Sequence, residues 1–549
     1  MNLFEKHQAL LTDAVAALKS RTYFTPYPEN PKAYGEEADA KAKAWISSIM
    51  NNNYTALPAA ASGKWIGEEI SPFLQLGIGV NYPDYSIDEL ITHGVAAHAS
   101  WSKQSLETRV GILIESLERI KLRFFDIAYA TMHTTGQSYM MSFQASGPHA
   151  NDRALEAIAM GYQELSRYTH ETNWVKPMGK FDLTLKKNFK AMPKGLGLVI
   201  GCSTFPVWNT VPGLFACLVS GSACIVKPHA KAVLPIAIVV EELQNLFAEA
   251  GLDRSIVQLA TDTQNEPKTK LLAEHAAIKQ IDFTGNSSFG SYIESLPKTT
   301  FTEKAGVNSI ILDSANDLKA VCSNIAFSAS LYSGQMCTAP QNIFISADGV
   351  QTAEGVVSYA DAVTALKDAF NGLIDHPKAG PGTLGAIQAD LTFNRVKEFA
   401  SKGLTEVVNS KNIRNEEFPD ARIASPIVVE INPNDPALYR EECFGPIVFI
   451  IKTNSFEDSL NRAVELASEK GALTCGAYTT SLERQTKIED AMNAIYVPVS
   501  FNFTGAAFIN SHAAFSDFHL TGGNAAGNAS FTNADFINKR VVWVGNRYM

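Results

Sequence analysis

The 549-residue sequence lacks the features by which several large classes of protein are recognised. It has no dense block of Lys or Arg and a net charge of -10, so it lacks the basic face that neutralises nucleic-acid phosphates. No uninterrupted apolar run reaches about 18 residues, the length that spans a membrane. The first residues combine no basic segment with a long apolar run, so we expect no signal peptide. We therefore expect a cytoplasmic protein, without nucleic-acid or membrane partners, that acts on a small molecule.

Metal and disulfide signatures are also missing. The seven cysteines show no CxxC spacing, and an odd number without clustering argues against a disulfide framework or a zinc site. We expect no bound metal. The glycines at 195, 197 and 201 do not form a GxGxxG dinucleotide motif, because the third falls one place late and the first two precede a strand.

Short apolar runs alternate with helical patterns beyond Pro193. This alternation is typical of a parallel sheet with helices on both faces, and such sheets bind ligands at the carboxyl ends of their strands. The length predicts two to four domains. We expect a mainly helical N-terminal extension over residues 1–85 and a cofactor-binding domain over 86–172 and 191–302. A catalytic domain should cover 303–515. Residues 173–190 and 516–549 should form an oligomerisation hairpin and a C-terminal strand.

Cys337 is the candidate nucleophile. The glycine-containing turn 333–338 presents this cysteine within an otherwise apolar, helix-like stretch, and a thiolate is a strong nucleophile. An isolated cysteine is more often an inert core residue, so the interpretation depends on partners.

Glu303 is the candidate general base. It follows residues 299–302, which are predicted to form a turn, and precedes Cys337 by thirty-four positions. A carboxylate at this boundary could activate water against a thioester. By itself it could equally be a solvated helix-end carboxylate.

Three further features favour a nucleotide. Lys227 ends an apolar strand, where a cation can meet a ribose or phosphate. The turn Gly285-Asn286 leads to Gly290 at the start of a helix, which suits a pyrophosphate but equally an ordinary helix cap. Glu442 precedes a strand and could accept hydrogen bonds from sugar hydroxyls.

In this order the motifs resemble those of the aldehyde dehydrogenase superfamily, from about residue 90 onward. Segment 333–339 is similar to its nucleophile motif, segment 302–306 to its general-base motif, and segment 283–290 to its cofactor turn. Segments 225–228 and 442–446 resemble its two ribose-binding motifs. The resemblance implies an α/β fold with two parallel-sheet lobes, one Rossmann-like for the cofactor and one catalytic, plus a small β oligomerisation element.

The resemblance also implies a role for each residue. Cys337 attacks an aldehyde to give a thiohemiacetal and then a thioester, and Glu303 directs water onto the thioester. Lys227 holds the adenosine ribose, and Glu442, with Phe444 of the same motif, binds the nicotinamide end. A homodimer or homotetramer is implied, in which the hairpin and the C-terminal tail pair between subunits.

The sequence departs from the family at the expected oxyanion site. Thr204 replaces an asparagine, and a hydroxyl donates only one hydrogen bond. Asn209 follows five residues later, about 140° around a helix, and we expect it to face elsewhere. The oxyanion is therefore assigned to Thr204 and the Cys337 amide. Lys304 also alters the base motif, and segment 515–522 replaces a glycine-rich motif.

Cofactor preference is predicted from one position. Where NAD-using relatives place a glutamate, this chain has Ala230, with His229 and Lys231 beside it. The missing anion and the added cations favour NADP, with NAD as the alternative.

The extension and the run 202–209 resemble stand-alone family members of phenylacetic acid degradation, which implies a ring-opened semialdehyde linked to coenzyme A. The alternatives are a CoA-acylating dehydrogenase and a nucleotide-binding relative that has lost catalysis. Met336, Thr338, Tyr332 and segment 501–503 are candidates for the pocket walls, although core packing explains each equally well.

Overall fold

Helix α1 packs on the body of the protein through a glycine contact. Asn2 caps it in a capping box with Glu5. A Cβ at Gly111 would lie 2.5 Å from the Phe4 backbone nitrogen, so glycine allows the close approach. The computed structural model describes residues 2–549. The elements of the extension are α1 Leu3–Ser20, α2 Ala38–Ile49, β1 Trp65–Ile66, β2 Ile70–Ser71, β3 Leu76–Gly77 and β4 Tyr82–Pro83.

Five helices follow, as the apolar periodicity of residues 86–170 predicts. They are α3 Ile87–Trp101, α4 Leu106–Lys121, α5 Phe124–Thr135, α6 Tyr139–Ser146 and α7 Pro148–Leu165. Helix α7 is almost wholly buried, including its charged residues Arg153 and Glu156. The chain then leaves the body as a hairpin of β5 Glu171–Pro177 and β6 Asp182–Pro193. Within residues 2–549 no helix combines the length and the apolarity needed to cross a bilayer.

The first large sheet is five-stranded and wholly parallel, in the order β11-β10-β7-β8-β9. Its strands are β7 Leu196–Ile200, β8 Cys224–Lys227, β9 Val257–Leu259, β10 Ile278–Thr284 and β11 Thr299–Glu303. The intervening helices are α8 Pro206–Val219, α9 Leu234–Glu249, α10 Thr269–Glu274 and α11 Ser287–Ser295. The order reverses direction at β7, which makes the end of β7 the switch point where such sheets bind ligands.

Residues 299–302 are not the predicted turn. They form β11, which pairs with β10 and ends at Glu303. The threonine-rich segment Thr299–Thr302 suits a strand, because β-branched and aromatic residues pack well on a pleated surface.

The second sheet has seven strands in the order β16-β17-β18-β13-β12-β19-β20, with β16 antiparallel to β17 and the other neighbours parallel. Its strands and the small hairpin beside it are β12 Asn308–Leu312, β13 Pro340–Ser346, β14 Val350–Thr352, β15 Gly355–Val357, β16 Thr405–Val408, β17 Ile427–Ile431, β18 Ile447–Thr453, β19 Cys475–Tyr478 and β20 Val499–Phe501. The helices are α12 Leu318–Ser330, α13 Tyr359–Ile374, α14 Ala379–Thr383, α15 Asp390–Ser401, α16 Phe456–Lys470 and α17 Leu482–Asn493. The short helix α18, Asp535–Asn538, packs instead on α7 and α8. The wholly parallel first sheet and the mainly parallel second sheet confirm the predicted α/β fold with two lobes.

The C-terminal strand β21, Val541–Tyr548, pairs with β6 of its own chain over its whole length. Together β21, β6 and β5 form a three-stranded sheet within the chain. Arg540, just before β21, is fully buried and forms two bonds of 2.8 and 2.6 Å to Asp282 of β10. This ion pair ties the C-terminal segment to the first sheet.

Candidate active site

A strained turn presents Cys337 at the end of α12. Residues Leu331–Gly334 form a tight turn in which Tyr332 and Ser333 have left-handed φ values of 54° and 52°. Left-handed backbone is costly for residues other than glycine, so neighbouring groups must hold it. The Ser333 hydroxyl donates to the Gly385 carbonyl at 2.9 Å. The sulfur is thus carried on a fixed turn.

Two contacts fix the turn against the second lobe. Gly334 has φ 65°, and a Cβ there would lie 2.4 Å from the Gly445 carbonyl oxygen, so the nucleophile motif packs directly on the 442–446 motif. The Asn308 amide nitrogen donates to the Cys337 carbonyl at 2.8 Å, and its oxygen accepts from the Leu473 amide at 3.0 Å. Asn308 therefore positions the backbone of the nucleophile.

Glu303 lies beside the sulfur, at the carboxyl end of β11. Its side chain is buried, and its carboxylate lies within 4.8 Å of Cys337 Sγ. It also accepts from Asn209 Nδ2 at 3.0 Å and contacts His519 Nε2 at 3.2 Å. Glu303 and Cys337, which were predicted to act together, meet in one cluster, and two further residues complete it.

The cluster favours the protonated thiol at rest. Burial raises the pKa of Cys337 well above its ordinary value, and the negative charge of Glu303 raises it further. Burial also raises the pKa of nearby Glu442 to about 7. Activation of the sulfur therefore requires that its proton be taken up during the reaction.

The sequence did not reveal His519 as a site residue. Its Nε2 atom lies 3.9 Å from Cys337 Sγ, and its ring meets the edge of Trp208 and stacks on Phe531. It belongs to segment 515–522, which was noted only as a departure from a glycine-rich motif. The sequence shows only that a histidine occurs within this segment, and its distance along the chain from Cys337 matches no motif that would link the two.

The expectation that Asn209 faces away from the site is wrong. Helix α8 begins at Pro206, so Thr204 lies in a bend before it and the two residues are not related by helical rotation. Asn209 lines the cavity and contacts Glu303. The Thr204 hydroxyl points to Cys202 Sγ at 3.9 Å, and Thr204 is not among the cavity-lining residues. This placement favours Asn209 over Thr204 as an oxyanion donor.

A cavity of about 430 Å³ opens onto the sulfur. Met336 and Thr338 line it, as predicted, whereas Tyr332 and segment 501–503 do not. The apolar walls are Met140, Met141, Ala145, Phe205, Trp208, Phe327, Leu331, Leu473, Pro498, Val499, Phe508, Ile509 and Phe518. These walls suit an aliphatic or aromatic aldehyde.

One end of the cavity is polar. His149 and His512 stack with ring centroids 4.2 Å apart, and the Arg153 guanidinium lies 5.3 Å over the Trp208 ring. Burial lowers the pKa of His512 well below its ordinary value, so this ring is neutral at pH 7.

Lys227 lies at the end of β8, beside the end of β7. Its ammonium group is buried and forms a 2.7 Å ion pair with Asp262. Burial lowers its pKa, and the negative charges of Asp262 and Glu68 oppose that shift. Two carboxylates therefore accompany this lysine, one of them from the N-terminal extension.

The segment after Lys227 carries fewer positive charges than the sequence suggested. Ala230 is buried, and Lys231 is partly exposed. Burial, with Lys227 and Lys231 nearby, lowers the pKa of His229 to about 4. His229 is therefore neutral at pH 7, and Lys231 is the cation that remains at this position.

The glycine turn lies on the other side of β7. Asn286 caps α11 by accepting from the Phe289 amide at 2.9 Å, and Gly285 donates to the Glu303 carbonyl at 3.0 Å. A Cβ at Gly290 would lie 2.4 Å from the Lys304 side chain. The predicted cofactor turn is thus linked directly to the strand that carries Glu303.

The comparisons with known proteins agree with this arrangement. The model of the aldehyde dehydrogenase family matches residues 81–529, which include every motif described above. The chain belongs to the aldehyde dehydrogenase family. It is therefore an NAD(P)-dependent oxidoreductase that oxidises aldehydes, and the predicted superfamily is confirmed.

The similar proteins include a solved structure of an NAD-dependent aldehyde dehydrogenase from Burkholderia multivorans. The two are 41% identical, with 100% of this chain and 99% of that chain covered and a TM-score of 0.97. The 1-pyrroline-5-carboxylate dehydrogenase of Bacillus subtilis is 24% identical over 90% of this chain and 94% of its own. The NADP-dependent glyceraldehyde-3-phosphate dehydrogenase of Streptococcus equinus is 27% identical over 57% of this chain and 63% of its own.

The residues of this aldehyde dehydrogenase fit a dinucleotide. Ile200, at the end of β7, pairs with Lys227 on one side and Phe283 on the other, so the lysine and the glycine turn flank the switch point of the sheet. A helix N-terminus and a buried cation can bind phosphates, and the Glu442 carboxylate can accept hydrogen bonds from ribose hydroxyls.

The altered base motif has a structural explanation in this family member. Lys304 forms a 2.8 Å ion pair with Glu294 of α11, and Glu294 also accepts from the Thr302 hydroxyl at 2.5 Å. The aliphatic part of the Lys304 side chain occupies the space beside Gly290, where a Cβ would clash with it. Lys304 therefore joins α11 to the end of β11.

Proposed function

We propose that this aldehyde dehydrogenase oxidises a semialdehyde to the carboxylic acid through a thiohemiacetal and a thioester on Cys337, with NADP as the preferred cofactor. The observation that carries the proposal is the buried cluster of Cys337, Glu303 and Asn209 at the end of an apolar cavity. This cluster holds a nucleophile, a proton acceptor and an amide donor.

The first step forms a bond between Cys337 Sγ and the aldehyde carbon. The thiol proton passes to the Glu303 carboxylate, and the carbonyl oxygen becomes an oxyanion that the Asn209 amide and the Cys337 backbone N–H stabilise. A bound nicotinamide supplies a hydride acceptor. Removing an oxyanion donor typically lowers the rate about a hundredfold or more.

The second step is hydrolysis of the thioester. Glu303 lies against the sulfur with its carboxylate in hydrogen-bond contact with Asn209 and His519. Once it has released the thiol proton to solvent, Glu303 can take a proton from a water molecule that attacks the acyl carbon. It then returns that proton to the departing sulfur, which leaves as the thiol. A carboxylate in this place supports hydrolysis over acyl transfer to coenzyme A, which is the alternative product.

For the cofactor, we assign the adenosine ribose to Lys227, the pyrophosphate to the turn with Gly285, Asn286 and Gly290, and the nicotinamide ribose to Glu442 with Phe444. Position 230 is alanine where NAD-using relatives have a glutamate, so no carboxylate there would repel the 2′-phosphate of NADP. Lys231 beside it adds a positive charge that supports NADP. NAD is the second candidate. It is favoured by Asp262 and Glu68 beside Lys227 and by the Burkholderia multivorans relative, whose name states NAD dependence.

For the substrate, we propose a ring-opened, CoA-linked semialdehyde of phenylacetate catabolism, in the cytoplasm. The resemblance of the extension and of segment 202–209 to that branch of the family supports it, as does the apolar cavity. A catalytically impaired relative is a poor alternative, because the candidate nucleophile and base lie within 4.8 Å of each other in one buried cluster.

We propose a homodimer or homotetramer assembled through the β5-β6-β21 sheet. All seven residues of β5 are exposed, and Val175, Met178, Phe181 and Val542 expose large apolar side chains. Exposed apolar side chains concentrated on one small sheet support an interaction site there. Light scattering of the full chain and of a variant with Phe181→Glu and Val542→Glu tests the assembly, and an unchanged mass would contradict it.

Steady-state rates separate the enzymatic alternatives. The proposal predicts reduction of NADP with semialdehydes, a higher kcat/KM with the CoA-linked substrate, and a free acid as product. An acyl-CoA product that requires added coenzyme A would establish the acylating alternative. A higher kcat/KM with NAD than with NADP would overturn the cofactor preference, and no turnover with any aldehyde would overturn the function.

A further inference from the structure

His519 lies between the two reacting side chains. Its Nε2 atom is 3.2 Å from Glu303 Oε1 and 3.9 Å from Cys337 Sγ, and its side chain is 9% exposed. The three ligand-type atoms of this cluster all lie within 4.8 Å of one another. One imidazole nitrogen thus faces both the nucleophile and the base.

The contact with Glu303 determines the tautomer. An ionised carboxylate only accepts hydrogen bonds, so Nε2 must carry a hydrogen when it faces Glu303. The same nitrogen lies 3.9 Å from Cys337 Sγ, which is close to the longest distance for a hydrogen bond to sulfur. A small rotation of the ring or of Cys337 would move its hydrogen bond from oxygen to sulfur.

We propose that His519 is a catalytic residue of this chain that donates its Nε2 hydrogen bond to whichever of Glu303 and Cys337 is negative. The inference rests on the proposed roles of those two residues. When the thiol S–H bond breaks, the proton moves to Glu303, which becomes a neutral acid, and the electron pair stays on sulfur. The Nε2–H hydrogen bond, no longer attracted by a carboxylate, then stabilises the thiolate.

The ring is held for this role. Its carbonyl accepts from the Phe531 amide at 3.2 Å, its ring stacks on Phe531, and the Trp208 edge contact fixes its other side. The preceding Phe515 donates its backbone N–H to the buried Glu156 at 2.5 Å. A donor oriented in advance costs no reorganisation as charge develops on sulfur.

The other ionisable groups around the cluster do not take this place. Glu442 and Cys202 act on Cys337 by raising its pKa, the opposite effect. His512 and His149 stack farther along the cavity, and Trp208 Nε1 donates to His512 Nδ1 at 3.4 Å. Arg153 is engaged by Glu156 at 3.1 Å. His519 is the nitrogen donor that faces the sulfur.

The test measures the reactivity of Cys337 toward iodoacetamide against pH in the full-length protein without aldehyde or cofactor. His519→Phe keeps the ring contacts and removes the donor. His519→Asn places its amide short of the Nε2 position, and His519→Gln reaches it with an N–H group. The adduct is located by peptide mass spectrometry.

We expect Phe and Asn at 519 to raise the apparent pKa of alkylation by about two units, because a hydrogen bond to a charged group is lost. The reaction should then slow about tenfold at pH 7, since the more basic thiolate is a stronger nucleophile and about half of the logarithmic loss is recovered. Gln at 519 should react within about threefold of the wild type. Wild-type profiles in both the Phe and Asn variants would overturn the proposal, as would a Gln variant as slow as the Phe variant. Because the assay uses no aldehyde, failure of the proposed oxidation would appear separately, as absent turnover in the wild type.

Discussion

Replacing Glu303 with glutamine should make the resting sulfur more reactive while it stops turnover. The two side chains approach within 4.8 Å in a buried cluster. At that separation two unit charges interact by about 3 kcal/mol with an effective dielectric constant of about 20. Removing the carboxylate charge should therefore lower the pKa of Cys337 by about two units.

The expected gain in alkylation rate is smaller than the gain in thiolate. Two pKa units raise the thiolate fraction about a hundredfold at pH 7, but a less basic thiolate is a weaker nucleophile, and about half of the logarithmic gain is lost. Glu303→Gln should thus react with iodoacetamide about tenfold faster than the wild type, while aldehyde oxidation falls by at least about a hundredfold.

Glu294→Gln is the matched control. It removes one negative charge from α11, where Glu294 pairs with Lys304 away from the sulfur. Its alkylation rate should equal that of the wild type. If Glu303→Gln reacts at the wild-type rate or more slowly, the electrostatic coupling of the two residues is refuted.

Three further predictions concern single residues. Asn209→Ala should lower kcat about a hundredfold with little change in thiol alkylation, as measured by turnover and labelling in parallel. If Thr204→Val shows this loss of kcat and Asn209→Ala does not, the oxyanion role returns to Thr204. Glu68→Gln should raise the ratio of kcat/KM for NADP to that for NAD several-fold, because it removes a negative charge near Lys227, and an unchanged ratio would contradict this. Arg540→Met should lower the free energy of unfolding by about 3–5 kcal/mol, because Asp282 is left buried without its partner. Urea denaturation measures the loss, with the exposed Arg547→Met as the control. Equal midpoints for the two variants would contradict this prediction.

The lobes and most strands were predictable because their patterns are local. The run Leu196–Ile200 is apolar throughout and bounded by glycine, and it forms a buried strand with these same bounds. Residues 299–302 were assigned to a turn because four polar or aromatic residues show no clear alternation. The strand exists because β10 offers a parallel partner, which no local pattern contains.

The candidate site was predictable only in part. Glu303 and Cys337 could be paired from their motifs, but His519 is far from both in sequence and reaches them through a loop held by Glu156. Asn209 was misplaced because its direction was derived by helical rotation from Thr204, which lies before the helix that begins at Pro206. Glu68 lies in an extension to which the sequence assigned no chemistry, and its effect on Lys227 arises only from folding.

The central claim is that Cys337 carries the acyl group, and intact-mass spectrometry tests it most directly. Glu303→Gln incubated with NADP or NAD and an aldehyde substrate should gain the mass of one acyl group per chain, with one equivalent of reduced cofactor formed in a burst. The adduct should map to Cys337 and be absent from Cys337→Ala with the same aldehyde. An adduct that persists in Cys337→Ala, or reduced cofactor without any adduct in Glu303→Gln, would contradict the account.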